Sequence, residues 1–399
     1  MTSVLVAFSD TGGGHRAAAS AIRAALRSAD GDVDVSMVDP FACCPRWPFR
    51  SLGVNYPRVV DHAPWFWHAG FRATNTPQRT NIIQRMAWPA MRSTFEAIAQ
   101  QHAPDVIVST HPLLAAPLRR VYPHTAIVTV VTDLVSGHVS WYDLASDLLV
   151  VPTTAARARA LDCGMPRERI DVIGIPIMDA FIAVPGERLS LCVRLGWATD
   201  RPTVLLAGGA EGLGALEALT VAIDRAQLPC DIAVVAGRNA GLAARLRARR
   251  WQGVVHVYDF VENFSEMLRA AATLITKAGP GTISEACASG CPLILSGAIP
   301  GQETGNFELV VRGRAGVWAP SPLAVAVALD AWLVGRDAPA ALHRAAQGAR
   351  TMARPRAAHE IAALLLCLAH RDHAATGPTS PAELLASKRA GSGARHIAA

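Results

Sequence analysis

The hydrophobic residues of this chain are concentrated in short apolar runs that alternate with longer amphipathic stretches and glycine-containing loops. Short apolar runs bounded by turn residues are typical of strands buried on both faces of a parallel sheet. The predicted strands are residues 3–8, 33–38, 105–109, 126–131, 148–151 and 170–173 in the first half, and 203–207, 231–236, 254–258, 273–276 and 292–296 in the second. Helical stretches separate them, so the pattern predicts two doubly wound α/β units in tandem.

The length of 399 residues also favours two domains, because a single hydrophobic core rarely serves so long a chain. We predict an N-terminal Rossmann-like domain over residues 1–177, a proline-punctuated linker over 178–200, and a C-terminal Rossmann-like domain over 201–355. A terminal helix over 356–370 and a disordered tail over 371–399 complete the chain. Two such domains facing each other form a cleft between the carboxyl ends of their sheets, where open α/β folds bind ligands.

The composition is apolar, with 51% hydrophobic and 18% charged residues. Glycine, proline or a charged residue nevertheless interrupts every apolar run before about 18 residues, the length that a membrane-spanning helix needs. Residues 1–8 lack a basic leader and are typical of a first strand rather than a signal peptide. We therefore expect a cytoplasmic protein without a transmembrane helix.

The eight cysteines form no CxxC pair and no Cys/His cluster at zinc-finger spacing. Reduced and mostly buried thiols are the ordinary interpretation of such cysteines. We expect neither a metal ion nor a cofactor.

The net charge of +6 is concentrated in residues 46–92, which we call the basic aromatic segment. It holds seven arginines (Arg46, Arg50, Arg58, Arg72, Arg79, Arg85 and Arg92) against one acid, and four of the nine tryptophans (Trp47, Trp65, Trp67 and Trp88). Aromatic rings settle at headgroup depth while guanidinium groups meet lipid phosphates, so we expect this segment to bind an anionic membrane at the inner face of the cell membrane. The alternatives are a basic rim over inward-pointing aromatics, or a nucleic-acid site, which we do not expect.

The first glycine loop, SDTGGGHR (9–16), directly follows the first predicted strand. Glycines such as Gly13 and Gly14 let the backbone approach a ligand, and the start of the next helix offers free N–H groups. The helix dipole favours a neutral imidazole at His15, which can act as a general base at neutral pH. Asp10 or Asp133 would orient the ring, whereas a helix-capping or anion-binding histidine is the alternative.

The second glycine loop lies within ITKAGPGTISE (275–285), where a strand passes through a Gly-Pro-Gly turn into a helix. The amides near Gly279, Gly281 and Thr282 can hold a phosphate, and Lys277 can add a positive charge. Glu285 lies within reach of a sugar hydroxyl beside such phosphates. A glutamate that only complements the helix dipole is the alternative.

Three further loops follow predicted strands of the second half. The turn IPGQETGN (299–306) carries Gln302, Glu303 and Asn306, whose donors and acceptors suit a hexose, although a solvated loop is the alternative. The loops around Gly209 and Arg238 are candidates for further phosphate contacts.

The motifs SDTGGGHRAAASAI, TKAGPGTISEA and IPGQETGN resemble those of the monogalactosyldiacylglycerol synthases and bacterial processive diacylglycerol glucosyltransferases of glycosyltransferase family 28. The resemblance spans residues 3–350. It implies a GT-B fold, with two Rossmann-like domains facing across a cleft. It also implies a UDP-galactose or UDP-glucose donor on the C-terminal domain, a diacylglycerol or other lipid acceptor on the N-terminal domain, inversion at the anomeric carbon, and no catalytic metal.

The resemblance further implies roles for single residues. His15 would deprotonate the acceptor hydroxyl or bind an anionic lipid activator, Glu285 would hold the ribose, and Gln302 with Glu303 would hold the hexose. The remaining donor-site residues are Gly13, Gly14, Gly209, Arg238, Phe260, Val261, Lys277, Gly279, Gly281, Thr282 and Asn306, and the acceptor or lipid residues are Pro112, Trp141, Trp65, Trp67 and Arg72. For Pro112 and Trp141, a proline at a strand exit and a core tryptophan are the alternatives.

The chain departs from the family pattern at three places. Met178 stands where the family commonly has an arginine that meets the diphosphate, Ala115 where many members have glutamine, and Gly208-Gly209-Ala210 where three glycines are usual. Losing a charge-assisted contact of about 1.5–3 kcal/mol predicts weaker donor binding, unless Arg238 or Lys277 compensates.

The predicted reaction is an in-line displacement in which His15 removes the acceptor proton and UDP leaves. Three alternatives stay open at this point. They are a transferase of N-acetylglucosamine to a polyprenyl-linked acceptor, a UDP-sugar 2-epimerase, and an inactive homologue that binds nucleotide or lipid.

Overall fold

The computed structural model describes residues 1–10, 13–51, 53, 55, 59, 63–184, 186–212 and 214–374. These residues form two compact units: 1–58, 65–176 and 356–374 make the first, and 59–64 and 177–355 make the second. Thr11 and Gly12 of the first glycine loop, much of 52–62 in the basic aromatic segment, and the predicted tail beyond 374 lie outside the described residues.

Each unit is built on a parallel sheet of six strands. The strands are β1 (Ser3–Ala7), β2 (Asp34–Val38), β3 (Val106–Ser109), β4 (Ala126–Val130), β5 (Leu148–Val151), β6 (Ile170–Val172), β7 (Thr203–Ala207), β8 (Asp231–Val235), β9 (Val255–Tyr258), β10 (Thr273–Lys277), β11 (Leu293–Gly297) and β12 (Gly316–Trp318). The strand order is β2-β1-β3-β4-β5-β6 in the first unit and β12-β11-β10-β7-β8-β9 in the second.

Helices cover both sheets, as the alternating sequence pattern predicted. They are α1 (Gly14–Ala29), α2 (Pro64–Thr74), α3 (Pro77–Gln101), α4 (Ala115–Val121), α5 (Thr154–Asp162), α6 (Arg188–Leu195), α7 (Leu216–Arg225), α8 (Ala240–Ala248), α9 (Phe264–Ala270), α10 (Pro280–Ala288), α11 (Thr304–Arg312), α12 (Pro322–Leu333), α13 (Ala338–Met352) and α14 (Ala357–Ala374). Short 3-10 turns occur at Phe49–Ser51, Val139–Trp141, Arg167–Arg169 and Asp179–Phe181.

The four central strands of the first sheet, β1, β3, β4 and β5, are buried on both faces, and alternate residues of β1 belong to two different cores. Val4 and Val6 of β1 pack with α1 and α14, whereas Leu5 and Ala7 pack with α3 and α4. Successive side chains of a strand point to opposite faces, so the run from Val4 to Ala7 is apolar at consecutive positions.

In each unit, the candidate site lies at the point where the strand order reverses. In the first unit β1 lies between β2 and β3, so the chain leaves β1 and β3 at neighbouring places on the carboxyl edge. In the second unit β7 and β10 are the corresponding neighbours. Ligands of open α/β sheets bind at such reversal points.

Three features differ from the sequence-based expectation. Strand β12 was not predicted, because Gly-Val-Trp is too short to show a periodicity; a side chain at Gly316 would clash with the carbonyl of Leu293. The expected linker 178–200 contains helix α6 and belongs to the second unit. The terminal helix extends to Ala374 and packs against α1 of the first unit. The predicted domain bounds as such stay predictions.

Among the helices of the described ranges, none combines the length and apolarity that crossing a membrane requires.

The packing of α14 on the first unit yields a stability prediction. Leu365 is fully buried in the core that α14 shares with β1 and α1. Leu365→Ala should lower the free energy of unfolding by about 2–5 kcal/mol, because it removes buried methyl groups and leaves a cavity. Urea titration followed by circular dichroism measures the change. The matched control Leu323→Ala, at a side chain 74% exposed, should stay within about 0.5 kcal/mol of wild type. Equal effects of the two substitutions would contradict this packing.

Candidate active site

His15 stands at the start of α1, and its ring is held from the neighbouring strand. Its Nδ1 lies 2.7 Å from the carbonyl oxygen of Thr110, the residue that follows β3. A carbonyl oxygen can only accept, so Nδ1 carries the proton and donates it. The hydroxyl of Thr132 lies 3.1 Å from the same nitrogen, and the Thr110 hydroxyl donates to the His15 carbonyl at 3.0 Å. The lone pair of the neutral ring is therefore on Nε2.

The surroundings of His15 keep its ring neutral. The His111 ring lies 4.9 Å away edge-on, and the Trp141 ring lies 5.7 Å away. Burial lowers the pKa of His15 from 6.5 to about 4, outweighing the hydrogen bond to Thr110 and the negative charge of Asp10, which both raise it. Burial and the nearby His15 also place the pKa of His111 well below its usual value. A neutral imidazole with a free lone pair is the form that a general base requires.

Asp10 and Asp133, the two predicted orienting acids, lie near His15 in other roles. Asp10 forms an ion pair with Arg16 at 3.0 Å and acts on His15 through its charge. Asp133 accepts a hydrogen bond of 2.7 Å from the indole of the buried Trp141. The group that orients the His15 ring is instead the carbonyl oxygen of Thr110, which accepts the hydrogen bond from Nδ1–H. Sequence reasoning missed this residue, although its place at the end of β3, beside β1, was a usable signal.

The first glycine loop leaves room next to His15. Gly13 has a φ of 82°, a left-handed conformation that favours glycine, and it immediately precedes α1. A side chain added at Gly14 would meet nothing within 4 Å. Pro112 follows the buried His111 and is half-buried. The carboxyl edge of the first sheet thus carries His15, Gly13, Gly14, Pro112 and Trp141.

In the second unit, helix α10 begins at the predicted glycine turn. Gly279 precedes the helix and Pro280 is its first residue, a position where the missing N–H costs nothing. Side chains added at Gly281 or Gly209 would meet nothing within 4 Å, so the loops after β10 and β7 are open at these points. The unsatisfied amides at the start of α10, including that of Thr282, can hold a phosphate group.

Lys277 and Glu303 form an ion pair of 2.6 Å across the loops after β10 and β11. Glu303 is almost fully buried, and its second oxygen accepts from the backbone amide of Ile299 at 2.9 Å. The buried Asn306 donates to the carbonyl of Ala278 at 2.9 Å. In this structure Glu303 and Asn306 hold the two loops together, while Gln302 is half-buried on the same turn.

Glu285 lies on α10, and burial raises the pKa of its carboxyl group to about 7. A carboxyl group near its midpoint at neutral pH can both accept a hydrogen bond from a sugar hydroxyl and donate one to it.

Arg238, after β8, connects the loops that follow β7 and β9. It donates to Glu211 at 2.7 Å, and its guanidinium lies 5.0 Å from the centre of the exposed Phe260 ring. Val261 follows and is half-buried. Gly237, with a φ of 61°, lets these loops meet, because a side chain there would clash with the carbonyl of Ala210.

Comparison with known proteins decides the family. Residues 15–177 match the family model of monogalactosyldiacylglycerol (MGDG) synthase, and 203–303 match the glycosyltransferase family 28 C-terminal domain. The chain is 35% identical over 377 residues to a probable monogalactosyldiacylglycerol synthase of Glycine max, covering 90% of this chain and 70% of that protein. It is 34% identical over 377 residues to monogalactosyldiacylglycerol synthase 1 of Arabidopsis thaliana, covering 90% and 69%. The chain belongs to the monogalactosyldiacylglycerol synthase family. It is therefore an enzyme of the glycosyltransferase class, and the resemblance seen in its motifs is confirmed.

Solved structures of low identity share the fold of this family member. HepE of Anabaena in complex with UDP-glucose is 14% identical, with 92% of this chain and 100% of that chain covered and a TM-score of 0.57. MurG of Acinetobacter baumannii is 15% identical, with the same coverage and a TM-score of 0.57. MnaA of S. aureus with UDP is 13% identical, covers 90% and 95%, and has a TM-score of 0.61. These likenesses concern the fold alone, and they confirm the predicted GT-B class.

The departures from the family pattern lie in both units. Met178 is exposed and precedes the 3-10 turn Asp179–Phe181, and Ala115 is buried at the start of α4. Arg238 and Lys277, the two candidates to replace the missing arginine, are each paired with an acid. Binding a diphosphate through either would require it to compete with Glu211 or Glu303. Weaker donor binding stays a prediction.

The basic aromatic segment exposes much of its apolar surface. Trp65 is 74% and Phe66 59% exposed on α2, while Trp67 is half-buried. Arg72 on the same helix is exposed. On α3 the exposed side chains include Ile82, Ile83, Met86, Arg79 and Arg85. For Trp65 and Phe66, the alternative of inward-pointing aromatics is wrong.

The histidine pKa values predict how stability depends on pH. The pKa values of His15 and His138 are about 4 in the folded protein, below the ordinary 6.5. Between these values the unfolded chain binds more protons, so the free energy of unfolding should fall as pH drops from 6.5 towards 4. Each such histidine adds at most about 1.4 kcal/mol per pH unit to the slope of the free energy of unfolding between these two pH values. It adds almost nothing to that slope above pH 6.5.

Urea titrations at several values between about pH 7 and pH 4.5 measure this slope. The slope should be shallower for His15→Gln than for wild type. Leu323→Ala serves as the control, because it removes no titratable group, and it should leave the slope unchanged. An unchanged slope for His15→Gln would contradict the depressed pKa.

Proposed function

We propose that this enzyme transfers a hexose from a UDP-sugar to the hydroxyl group of diacylglycerol at a membrane surface, with inversion at the anomeric carbon. The observation that carries the proposal is the lone pair on Nε2 of His15, which the Thr110 carbonyl oxygen assigns by holding Nδ1–H. A neutral imidazole with this lone pair can accept the proton of an alcohol that is bound within hydrogen-bond distance. The names of the relatives, monogalactosyldiacylglycerol synthases, favour galactose as the sugar, with glucose as the alternative.

In the proposed mechanism, Nε2 of His15 accepts the proton of the acceptor hydroxyl. The hydroxyl oxygen forms a bond to C1 of the sugar from the side opposite the leaving group. The bond between C1 and the diphosphate oxygen breaks, and the electron pair leaves with UDP. One displacement inverts the anomeric carbon.

The second unit supplies the donor site in this proposal. The amides at the start of α10 hold the diphosphate and stabilise the charge that develops on UDP, because they point at the ligand before reaction begins. Lys277, next to Gly279, adds a positive charge, with its ammonium nitrogen only 3.1 Å from where a side chain at Gly279 would begin. Glu285 binds the ribose hydroxyls, and Gln302 contacts the hexose. No step is assigned to a metal ion.

We propose peripheral attachment through the basic aromatic segment. Trp65 and Phe66 offer apolar rings beside the exposed Arg72, and this combination suits an anionic lipid surface. Attachment would bring the first unit to a water-insoluble acceptor.

The transferase proposal is tested with UDP-galactose and UDP-glucose and with diacylglycerol in anionic vesicles. His15→Ala should lower kcat by about 10²–10⁴, because it removes the base without touching the second unit. Release of UDP measures turnover, and mass spectrometry with NMR identifies the glycolipid and its anomeric configuration.

His124→Ala is the control, because this exposed histidine lies away from the carboxyl edge of the first sheet. It should retain wild-type turnover. A wild-type protein that binds UDP but turns over neither donor would instead support the inactive homologue. A product with retained configuration would exclude the single displacement.

Membrane attachment is tested by sedimentation with anionic and neutral vesicles. The triple variant Trp65→Ala, Phe66→Ala, Arg72→Gln should bind anionic vesicles at least about tenfold more weakly. The arginine contributes about 1 kcal/mol at the interface, and the two rings that become buried there add to this. The control pair Leu323→Ala and Val327→Ala, exposed residues of the second unit, should bind like wild type. Unchanged binding by the triple variant would reject the basic aromatic segment as the attachment site.

A further inference from the structure

A cavity of about 1080 Å³ lies at the amino edge of the second sheet, and the described residues that line it all belong to the second unit. Its volume is about the upper limit that is usual for pockets that bind small molecules. Pro202, Ala272 and Pro292 line it, and these residues directly precede β7, β10 and β11. The glycine loops of the candidate donor site follow β7 and β10 at the opposite, carboxyl edge. The length of the strands therefore separates the cavity from that site.

The wall of the cavity is mostly apolar, and most of its apolar residues are small or aliphatic. Leu268 is buried, and Leu333 and Leu342 are half-buried. Among the described lining residues, Trp332 is the single large aromatic side chain, and it is buried, so the wall offers little surface for stacking a nucleobase. An alkyl chain needs only apolar contact, and such a wall therefore fits a chain better than a ring system.

The cavity also carries an excess of positive charge. Its described lining residues include four arginines against two acids: Arg188, Arg201, Arg269 and Arg350 against Glu187 and Asp200. Two of these arginines are already paired, since Arg269 lies 2.7 Å from Glu187 and Arg201 lies 3.4 Å from the buried Asp231. Within the described part of the chain, neither Arg188 nor Arg350 forms an ion pair, so the cavity favours an anionic group.

Arg188 and Arg350 both lie near the end of α10. Arg188 is the first residue of α6, and its Nε donates to the carbonyl oxygen of Ala270 at 3.1 Å. Burial raises the pKa of the Cys291 thiol, and the nearby positive charge of Arg188 lowers it. Arg350 of α13 packs against the neighbouring Gly290, and its Nε lies 2.8 Å from where a side chain at Gly290 would begin. A guanidinium group binds the oxygens of a carboxylate or phosphate in pairs, so these two arginines can hold one such group.

We propose that this cavity is a binding site for a single-chain amphiphile with an anionic head group, a carboxylate or a phosphate. The head group lies between Arg188 and Arg350, and the alkyl chain lies along Leu268 and Leu342. None of the described residues assigned to the UDP-sugar, to the acceptor or to the basic aromatic segment lines the cavity. The site is therefore separate from the transferase site, and the inference does not depend on the proposed function.

The ligand class is tested with decanoate, kept below its micelle concentration, by isothermal titration calorimetry of the full-length protein. Decanol should bind at least about tenfold more weakly, because it forms no charge-assisted hydrogen bond with the two arginines. Octanoate should bind about tenfold more weakly than decanoate, because it buries two fewer methylene groups. Decyl phosphate then distinguishes the head groups, since binding tighter than that of decanoate identifies phosphate as the preferred head group, and weaker binding identifies carboxylate.

The contact with the head group is tested with Arg350→Gln, which removes the guanidinium group beside Gly290. This variant should bind decanoate at least about tenfold more weakly, whereas its binding of decanol should stay within about twofold of wild type. Arg344→Gln is the matched control, because Arg344 is an exposed arginine of the same helix that does not line the cavity. It should bind decanoate as wild type does.

The contact with the alkyl chain is tested by filling the cavity. The half-buried Ala346 lines it from α13, so Ala346→Phe places a ring in the space of the chain. Binding of decanoate and of decanol should both weaken at least about tenfold, because the two groups cannot share one closely packed volume. Ala340→Phe, at an exposed residue of the same helix that does not line the cavity, should bind both as wild type does. Circular dichroism checks that each variant is folded.

Three results would overturn the inference: a wild-type protein that binds no decanoate, decanol that binds as tightly as decanoate, or a folded Arg350→Gln or Ala346→Phe variant that binds decanoate as wild type does. If Arg350→Gln does not fold, Ala346→Phe and its control decide the question alone. These measurements need no turnover, so a failure of this inference and a failure of the transferase proposal are separate results.

Discussion

The hydrogen bond from Nδ1–H of His15 to the carbonyl oxygen of Thr110 is the constraint on which the rest of the candidate site depends. It exists because β1 and β3 are parallel neighbours whose last residues, Ala7 and Ser109, are paired in register. The chain therefore leaves both strands at the same level, with α1 beginning after one and Thr110 following the other. A carbonyl oxygen can only accept a hydrogen bond, whereas a hydroxyl can donate or accept one. The proton of the neutral ring therefore stays on Nδ1, and the lone pair stays on Nε2. Burial then keeps the ring neutral.

The second unit has the same kind of strand-order reversal, with different groups placed there. Its reversal point lies between β7 and β10, and the start of α10 offers backbone amides there instead of a base. The two cations near these loops, Lys277 and Arg238, are each paired with an acid. In the proposed donor site, these ion pairs leave the backbone amides at the start of α10 as the groups available to a diphosphate.

Much of the fold could be predicted from the sequence, because a strand that is buried on both faces carries a run of apolar residues, as β1 does from Val4 to Ala7. The first and second glycine loops were also visible, since glycine is favoured where the backbone turns tightly or approaches a ligand. Strand β12 was missed because three residues show no period. Helix α14 was recognised as a helix, but its packing on α1, more than three hundred positions earlier in the chain, leaves no local signal.

The partners of the site residues were the least predictable part. Glu303 and Lys277 are 26 positions apart and His15 and Thr110 are 95, so only the sheet order brings them together. An acid was the reasonable expectation for orienting a histidine, whereas a backbone carbonyl cannot be identified from residue type at all. The sequence likewise did not show that the two oxygens of Glu303 join two loops, and its predicted contact with a sugar stays a prediction.

The most direct test of the account is the tautomer of His15, measured by ¹⁵N NMR of the histidine-labelled protein with His15→Gln for assignment. We predict a neutral ring at pH 7, with a proton on Nδ1 and a lone pair on Nε2, that gains its second proton only near the pKa of about 4. A ring protonated on Nε2, or an imidazolium at pH 7, would contradict it, because His15 would then have no lone pair with which to accept the proton of an acceptor hydroxyl.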